Sequence, residues 1–333
     1  MKPLNVPLFL LLILTAISCT PEEKKVAFQG QAQGTYYAVT YFDTRERNFQ
    51  PQVDSILKAF DQSVSMWVEE SIISRVNRGD SSVRPDPWFV DIFNRSKEIA
   101  ATTDGAFDFT VGPLVNAWGF GFKGKMKMDS ALVDSLRNLV DYRKVKLENG
   151  RIIKENKRAQ IDFNAIAQGY AVDVLGKFLV SEGIQNYLID IGGEVLGKGI
   201  KPDGSAWIVG IENPATDSLS ERTLNARVRL SAKALATSGS YRKYYEEDGI
   251  RYSHTIDPKT GYPVRHSLLS VSVMADDCAS ADGYATAFMV MGFEKAKEFV
   301  EKEPSLEAYF IYATQDGLFQ TYATEDFRKI IVP

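Results

Sequence analysis

Two oxygen-bearing side chains, Asp282 and Thr286, lie four residues apart after an apolar run at residues 268–275. That run favours a strand, and the apolar period then becomes helical, so the pair should share one face of a helix that Asp277 or Ser280 could cap. A carboxylate beside a hydroxyl offers the hard oxygen ligands that Mg²⁺ prefers. A capping Asp, with a Thr that hydrogen-bonds to the preceding turn, is the alternative on these residues alone.

Residues 160–173 also run from a strand end into a helix, with small residues at alternate positions from 165 to 171. A helix N-terminus attracts anions, and small side chains let a ligand approach, although close helix packing explains them equally well. Residues 103–121, rich in Gly, Pro and aromatic side chains, are a candidate binding loop or a packed connector. Gly192-Gly193 interrupts a strand and favours a hairpin over a phosphate loop, because no Lys-Ser or Lys-Thr follows.

The chain has 333 residues, a formal net charge of −4 and 25% charged residues, which are ordinary globular values. No block of Lys and Arg suggests a nucleic-acid partner. Periodicity predicts helices over 52–64, 85–103 and 130–139, and strands over 34–42, 207–212 and 224–230, among others. No repeat and no linker divides the chain, so we predict a single interleaved α+β domain of mixed or antiparallel sheets with packed helices.

The N-terminus carries Lys2, an apolar run at residues 8–14 and then Ala16-Ile17-Ser18-Cys19. This pattern predicts a signal peptide over 1–18 with Cys19 as a lipidated residue, because small residues before Cys resemble a bacterial lipobox. Plain secretion with cleavage near Ser18 is the alternative. A polar tether over 19–27 and a mature domain over 28–333 would follow. Cys278 is the other cysteine, so a lipidated Cys19 excludes an internal disulfide.

Five separated segments together resemble the bacterial flavin transferases of the ApbE type, which are FAD:protein FMN transferases. In chain order they are Gln33-Gly34-Thr35-Tyr36-Tyr37; Gly105-Ala106-Phe107-Asp108 through Trp118-Gly119-Phe120-Gly121; Asp162-Phe163-Asn164-Ala165-Ile166-Ala167-Gln168-Gly169-Tyr170-Ala171-Val172-Asp173; Thr237-Ser238-Gly239-Ser240-Tyr241 with Ser253-His254-Thr255-Ile256-Asp257-Pro258-Lys259-Thr260-Gly261; and Ala281-Asp282-Gly283-Tyr284-Ala285-Thr286-Ala287. The segments span most of the mature chain in the order of the family.

The resemblance implies a T-fold-like architecture with a nucleotide cleft between sheet regions. It also implies Mg²⁺-dependent cleavage of FAD, in which AMP leaves and FMN is joined by a phosphoester to a Thr or Ser hydroxyl of a flavoprotein subunit. The expected partners are therefore FAD, that subunit and, through the lipid anchor, a bacterial membrane, with the domain facing the periplasm in the cell envelope.

The resemblance places metal ligands at Asp282, Thr286 and the main-chain oxygen of Ala165. The first two would also be catalytic, and His254 could deprotonate the incoming hydroxyl or simply tie down its own turn. The FAD contacts that it implies are Gln33, Trp67, Ala106, Phe107, Asp108, Asp162, Gln168, His254, Thr255 and Ile256.

Three of these positions depart from the usual family pattern, which has Met at Gln33, Lys or Glu at Gln168 and Tyr at Trp67. These changes should alter affinity for the flavin more than the type of reaction. Two other functions are possible: an FAD pyrophosphatase that gives FMN and AMP with water as acceptor, and a flavin-binding lipoprotein without catalysis. A generic solute-binding lipoprotein would not account for the Asp282 and Thr286 pair.

Overall fold

The computed structural model describes residues 22–121, 124–214, 223–240, 244–247 and 250–333, with side chains described outside 244–247 and 250–252. The predicted signal peptide, Cys19 and Tyr241 lie outside these ranges. The strands are β1 (Lys24–Ala32), β2 (Thr35–Asp43), β3 (Val145–Glu148), β4 (Arg151–Lys154), β5 (Tyr187–Ile191), β6 (Glu194–Lys198), β7 (Trp207–Glu212), β8 (Leu224–Leu230), β9 (Lys233–Gly239), β10 (Tyr244–Glu247), β11 (Ile250–Ser253), β12 (Leu268–Ala275), β13 (Glu307–Ala313), β14 (Phe319–Ala323) and β15 (Ile331–Val332).

Helices make up most of the remaining regular structure. They are α1 (Gln50–Val64), α2 (Ile72–Arg78), α3 (Pro87–Thr102), α4 (Gly112–Ala117), α5 (Ser130–Arg137), α6 (Ala167–Ser181), α7 (Cys278–Met291), α8 (Phe293–Val300) and α9 (Glu325–Ile330). Within the described ranges, no helix combines the length and the apolar content that crossing a membrane requires.

An eight-stranded sheet in the order β1-β2-β5-β6-β9-β12-β13-β14 forms the centre of the domain. Every neighbouring pair in it is antiparallel. The β1–β2 turn at Gln33-Gly34 and the β5–β6 turn at Gly192-Gly193 lie at one end of this sheet, because Tyr37 of β2 pairs with Ile191 of β5. All four turn residues have positive φ, as tight hairpin turns require.

The central sheet is covered on both faces. Helices α1, α3, α6 and α7 pack on one face around the largest core, which includes Phe89, Phe163 and Phe288. On the opposite face, a small sheet in the order β15-β8-β7 and the helix α9 bury Trp207 and Phe327 against the central strands. Burial on both faces explains why almost every residue of β12 is buried, including the serines at 270 and 272.

A third, smaller core joins α4 and α5 to residues 253–263. Leu114, Trp118 and Ile256 pack together there, and the Trp118 indole Nε1 donates a hydrogen bond to the Gly261 carbonyl at 2.8 Å. The segment 103–121 therefore contains a short helix, which the sequence did not predict because its Gly and Pro residues lie at the helix start, where they do not interrupt it.

The α+β prediction with mixed or antiparallel sheets and packed helices is confirmed. The hairpin prediction for Gly192-Gly193 is also confirmed, since the two residues join β5 to β6. The central sheet begins at Lys24, so residues 24–27 of the segment expected to be a tether are paired with β2.

Candidate functional site

The Asp282 and Thr286 pair lies on α7, directly after β12. Asp277 caps this helix, as predicted, because its side chain accepts a hydrogen bond from the Ser280 backbone N–H at 2.9 Å. Asp282 is buried and Thr286 is half-buried. The Thr286 hydroxyl lies 3.4 Å from the Ser238 hydroxyl at the end of β9, so this face of α7 is directed toward the strand ends rather than toward solvent.

The Asp282 carboxylate contacts the first turn of α6. Its Oδ2 accepts a hydrogen bond from the Gly169 backbone N–H at 3.1 Å. A Cβ at residue 169 would lie only 2.3 Å from the Cys278 carbonyl oxygen and 2.8 Å from the Asp282 Cβ. The absence of a side chain at Gly169 is therefore what lets the two helix starts meet, so close helix packing accounts for this small residue.

The backbone carbonyl of Ala165 is left without a donor at this junction. Ala165 precedes Ile166, the N-cap residue of α6, so its carbonyl lies before the first intrahelical hydrogen bond, which runs from the Tyr170 N–H to the Ile166 carbonyl. The Gly169 N–H, one of the helix-start donors without an intrahelical acceptor, donates to Asp282. No other hydrogen bond to the Ala165 carbonyl is present among the described residues. A buried or half-buried carbonyl in this state usually has a partner, such as water or an ion.

Burial makes the charge of Asp282 costly. Burial, with a smaller contribution from the Asp173 carboxylate, raises the pKa of Asp282 to about 7, against the opposing effect of the Gly169 hydrogen bond. Burial likewise raises the pKa of Asp162 to about 6. A bound cation would favour the ionised form of Asp282.

The residues at this junction fit Mg²⁺. Asp282, Thr286 and the Ala165 carbonyl offer one carboxylate, one hydroxyl and one main-chain oxygen, all hard ligands. In the described part of the chain, no group of three or more His, Cys, Asp and Glu side chains could hold a metal. A set of one carboxylate, one hydroxyl and one main-chain oxygen suits a cation that takes few protein ligands and completes its shell with water and phosphate oxygens, as Mg²⁺ does.

The two hairpin turns lie beside the start of α6. A Cβ at Gly192 would lie 2.8 Å from the Thr35 side chain and 3.3 Å from the Gln168 Nε2. Both amide atoms of Gln33, in the β1–β2 turn, are buried and have no hydrogen-bond partner among the described residues. Buried amides of this kind need a donor and an acceptor, so a ligand with polar ring edges would satisfy Gln33.

Asp162 lies where the segment before α6 meets the loop after α3. Its backbone N–H donates to the Phe109 carbonyl at 2.7 Å, and its Oδ1 accepts from the Asn164 N–H at 2.9 Å. The Asn77 side chain holds the neighbouring residue from both sides, donating to the Ile161 carbonyl at 2.8 Å and accepting from its N–H at 2.7 Å. No local pattern singled out Asn77, because this clamp joins residues 84 positions apart.

The predicted contacts at residues 106–108 are directed into the protein. Ala106 and Phe107 belong to the main core, and the Asp108 carboxylate accepts hydrogen bonds from the Thr110 N–H and hydroxyl and from the Tyr142 N–H. Burial still raises the pKa of Asp108. Asp108 therefore fixes the shape of the loop, and the segment can offer a ligand its backbone rather than these side chains.

The remaining predicted residues lie in two places: residues 254–256 pack beside the segment 103–121, and Trp67 lies on the surface. The His254 ring packs edge-on against Phe120 with the ring centroids 6.3 Å apart. Thr255 and Ile256 are buried beneath it, with Ile256 in the core around α4. Trp67, between α1 and α2, is 68% exposed, which leaves its ring accessible for stacking.

A buried carboxylate that the sequence left without a role also lies at the helix junction. Asp173 of α6 accepts hydrogen bonds from the Cys278 N–H at 2.8 Å and the Ala279 N–H at 2.9 Å. Asp173 follows Gly169 by four residues, so both lie on the stripe of α6 that faces α7. This spacing is the signal that could have revealed it, but only with the packing partner known.

Comparison with known proteins gives one consistent family. Residues 33–310 match the model of the ApbE family. A protein of Vibrio cholerae named FAD:protein FMN transferase is 34% identical over 331 residues, covering 96% of this chain and 96% of that protein.

Solved structures agree with the sequence comparison. The flavin transferase ApbE from Vibrio cholerae superposes with a TM-score of 0.82 at 33% identity, covering 92% of this chain and 99% of that one. The apo form of the flavinyl transferase ApbE from Pseudomonas stutzeri gives a TM-score of 0.83 at 33% identity, covering 93% and 97% of the two chains. The family resemblance seen in the sequence is confirmed.

The contact at Gly169 predicts that Gly169→Ala destabilises the protein. The new methyl group would meet backbone at Cys278, which cannot move without separating α6 from α7, so we expect a loss of about 1–3 kcal/mol in the free energy of unfolding. Urea unfolding measures this loss.

Gly176→Ala in the same helix is the matched control, because its Cβ would meet only side-chain ends and no backbone: the Leu196 Cδ2 at 2.8 Å and the Tyr187 hydroxyl at 3.0 Å. Its loss should be clearly smaller. Equal losses in the two variants would contradict the account of this junction.

The raised pKa of Asp282 predicts how stability depends on pH in protein treated with EDTA. Between the unfolded value near 3.8 and the folded value of about 7, the folded state binds more protons than the unfolded state, so stability falls as the pH rises through this window. We expect Asp282 to contribute on the order of 1–3 kcal/mol to the loss between pH 5 and pH 8. Asp282→Asn should flatten the profile measured by urea unfolding, and an unchanged slope would refute the assignment.

Proposed function

The chain belongs to the ApbE family, and on this premise we propose that it transfers FMN from FAD to a Thr or Ser hydroxyl of a target flavoprotein. The acceptor oxygen would form a bond to the phosphorus of the FMN half, and the bond from that phosphorus to the bridging oxygen would break, so that AMP leaves with the bridging oxygen. The observation that carries the proposal is the junction of Asp282 with the start of α6, where the Ala165 carbonyl has no donor.

The residues of this junction suit a diphosphate. Phosphoryl transfer has little covalent chemistry for a protein to perform and depends on positioning and on neutralising charge. Asp282, Thr286 and the Ala165 carbonyl would hold Mg²⁺, which when bound supplies positive charge at the diphosphate oxygens. The start of α6 directs its positive dipole end toward the same region, which also favours an anion.

The surrounding residues would hold the rest of the dinucleotide. The Gln33 amide, buried without a partner, can donate to and accept from the edge of a flavin or an adenine ring. Gln168 borders the same turn and can hydrogen-bond without adding charge. Trp67 is largely exposed, so its ring can stack on an aromatic base.

The acceptor hydroxyl must lose a proton as it bonds to phosphorus. His254 is one of two histidines in the chain and lies half-buried beside the aromatic loop. An imidazole can take a proton near neutral pH, so we propose His254 as the base. The other histidine, His266, contacts the protein through its Nε2, which lies 2.7 Å from the Met289 carbonyl oxygen.

We further propose that the protein is anchored in the cell envelope through lipidated Cys19 and faces the periplasm. β1 starts at Lys24, five residues after Cys19, and runs to the turn at Gln33 beside the site. A nine-residue strand is about 30 Å long. The anchor and the site would therefore lie at opposite ends of β1, with the site opening away from the membrane toward an acceptor in the aqueous compartment.

The proposal predicts that Asp282→Ala abolishes transfer while the protein remains folded, because the variant loses the one carboxylate of the metal site. The assay incubates the protein with FAD, Mg²⁺ and a target subunit and detects covalent flavin on the subunit. EDTA should stop the wild-type reaction and Mg²⁺ should restore it.

Asp276→Ala is the matched control, since this exposed carboxylate at the same strand-to-helix junction pairs with Lys233 outside the site. It should retain transfer. Covalent product from Asp282→Ala at the wild-type rate would refute the metal assignment. Free FMN and AMP without covalent product from the wild type would show a pyrophosphatase instead, and no turnover would leave a flavin-binding protein.

The anchoring proposal predicts that Cys19→Ala moves the protein from the membrane fraction to the soluble fraction of cells, because the lipid has no attachment point. Cys278→Ala, which changes the buried cysteine, should stay with the membrane. Membrane association of Cys19→Ala equal to that of the wild type would contradict the anchor.

A further inference from the structure

Helices α6 and α7 cap each other. The carboxylate of Asp173 on α6 accepts hydrogen bonds from the first two N–H groups of α7, at Cys278 and Ala279. The carboxylate of Asp282 on α7 in turn accepts from the Gly169 N–H in the first turn of α6. In each helix the capped N–H precedes the capping carboxylate by three or four residues, so each supplies a donor and an acceptor on one face.

The cap from Asp173 is separate from the cap that α7 makes for itself. Asp277, the residue before the helix, accepts from the Ser280 N–H at 2.9 Å and forms an ion pair with Arg95 at 2.7 Å. Asp277 belongs to the α7 segment and would follow that helix if it moved. Asp173 belongs to another helix, so its two hydrogen bonds fix where α7 lies along α6.

The position of α7 determines whether the Gly169 N–H has a hydrogen-bond acceptor. With α7 in place, the Gly169 N–H donates to Asp282 and the Ala165 carbonyl remains without a donor. If α7 moved along α6, the Gly169 N–H would lose this acceptor, because the first N–H groups of a helix have no acceptor within it. The displacement would also move the Asp282 carboxylate away from the start of α6 and from the Ala165 carbonyl that precedes it.

We propose that Asp173 is a positioning residue for the flavin transfer: it holds α7 so that the Asp282 carboxylate stays bonded to Gly169 at the start of α6. This inference rests on the proposed function for its catalytic consequence, but the geometry itself can be tested without turnover. Asp173 is buried, 8% exposed, and acts through the backbone of α7 rather than by touching the substrate.

Asp173→Asn and Asp277→Asn form a matched pair for the test. Each variant replaces with an amide a carboxylate that accepts hydrogen bonds from N–H groups in the first turn of α7. Both should lower the Tm. Asparagine keeps one acceptor oxygen, but at residue 173 its NH₂ group would face an N–H donor, so one inter-helix hydrogen bond is lost.

The first measurement is amide hydrogen exchange at Gly169 in the full-length protein without ligand. We expect exchange at Gly169 to accelerate by at least about tenfold in Asp173→Asn, because loss of a buried hydrogen bond between the helices makes their local separation correspondingly more frequent. Asp277→Asn should leave it within about threefold of the wild type, since the contact between the helices remains. Unchanged exchange at Gly169 in Asp173→Asn would overturn the inference.

The second measurement is FMN transfer per folded molecule as a function of Mg²⁺ concentration. We expect Asp173→Asn to raise the half-maximal Mg²⁺ concentration by about tenfold to a hundredfold, and Asp277→Asn to change it little. Equal effects of the two variants would show a purely structural cap and would also overturn the inference.

The role of Asp173 can still be decided if the wild type makes no covalent product or if Asp173→Asn does not fold. If the wild type makes no covalent product, the proposed function fails, while the exchange at Gly169 still decides the role of Asp173. If Asp173→Asn does not fold, Asp173→Ser, which keeps one acceptor in a smaller side chain, carries both measurements with the same expected directions.

Discussion

The hydrogen bond from the Gly169 N–H to the Asp282 carboxylate is the contact on which the site depends. It holds a buried carboxylate at the start of α6, directly after the segment in which the Ala165 carbonyl has no donor among the described residues. The bond exists only because residue 169 has no side chain, since a Cβ would collide with the Cys278 carbonyl. In protein without a cation the same burial opposes the charge of Asp282 and raises its pKa to about 7.

The central sheet brings the other parts of the site to this contact. The hairpins β1–β2 and β5–β6 turn at the same end of the sheet, so Gln33 and Gly192 lie beside the start of α6. The small core around Trp118 and Ile256 ties residues 253–263 to the loop after α3 and brings His254 against Phe120. Burial of the sheet on both faces stabilises this arrangement, while the turns and loops at its end carry the groups that would bind a ligand.

Local pattern predicted much of the fold. The strands β7, β8 and β12 begin and end where the sequence predicted them. β7 and β12 are short, mainly apolar segments, and β8 alternates apolar with polar residues. The pairing of Asp282 with Thr286 followed from helical spacing alone. The strand β1 was not predicted, because it is an edge strand with many polar residues. The helix α4 was not predicted, because its Gly and Pro residues are typical of a loop. The clamp of Asn77 and the cap of Asp173 could not be predicted, since each joins residues more than 80 positions apart. The nature of the ligand came from the family resemblance rather than from spacing.

The most direct test of the account is a crystal structure of the protein with FAD and Mg²⁺. The account predicts a cation about 2.1 Å from the Asp282 carboxylate, the Thr286 hydroxyl and the Ala165 carbonyl, with the diphosphate of FAD completing its shell. A cation bound elsewhere, or a diphosphate distant from the start of α6, would contradict the central claim.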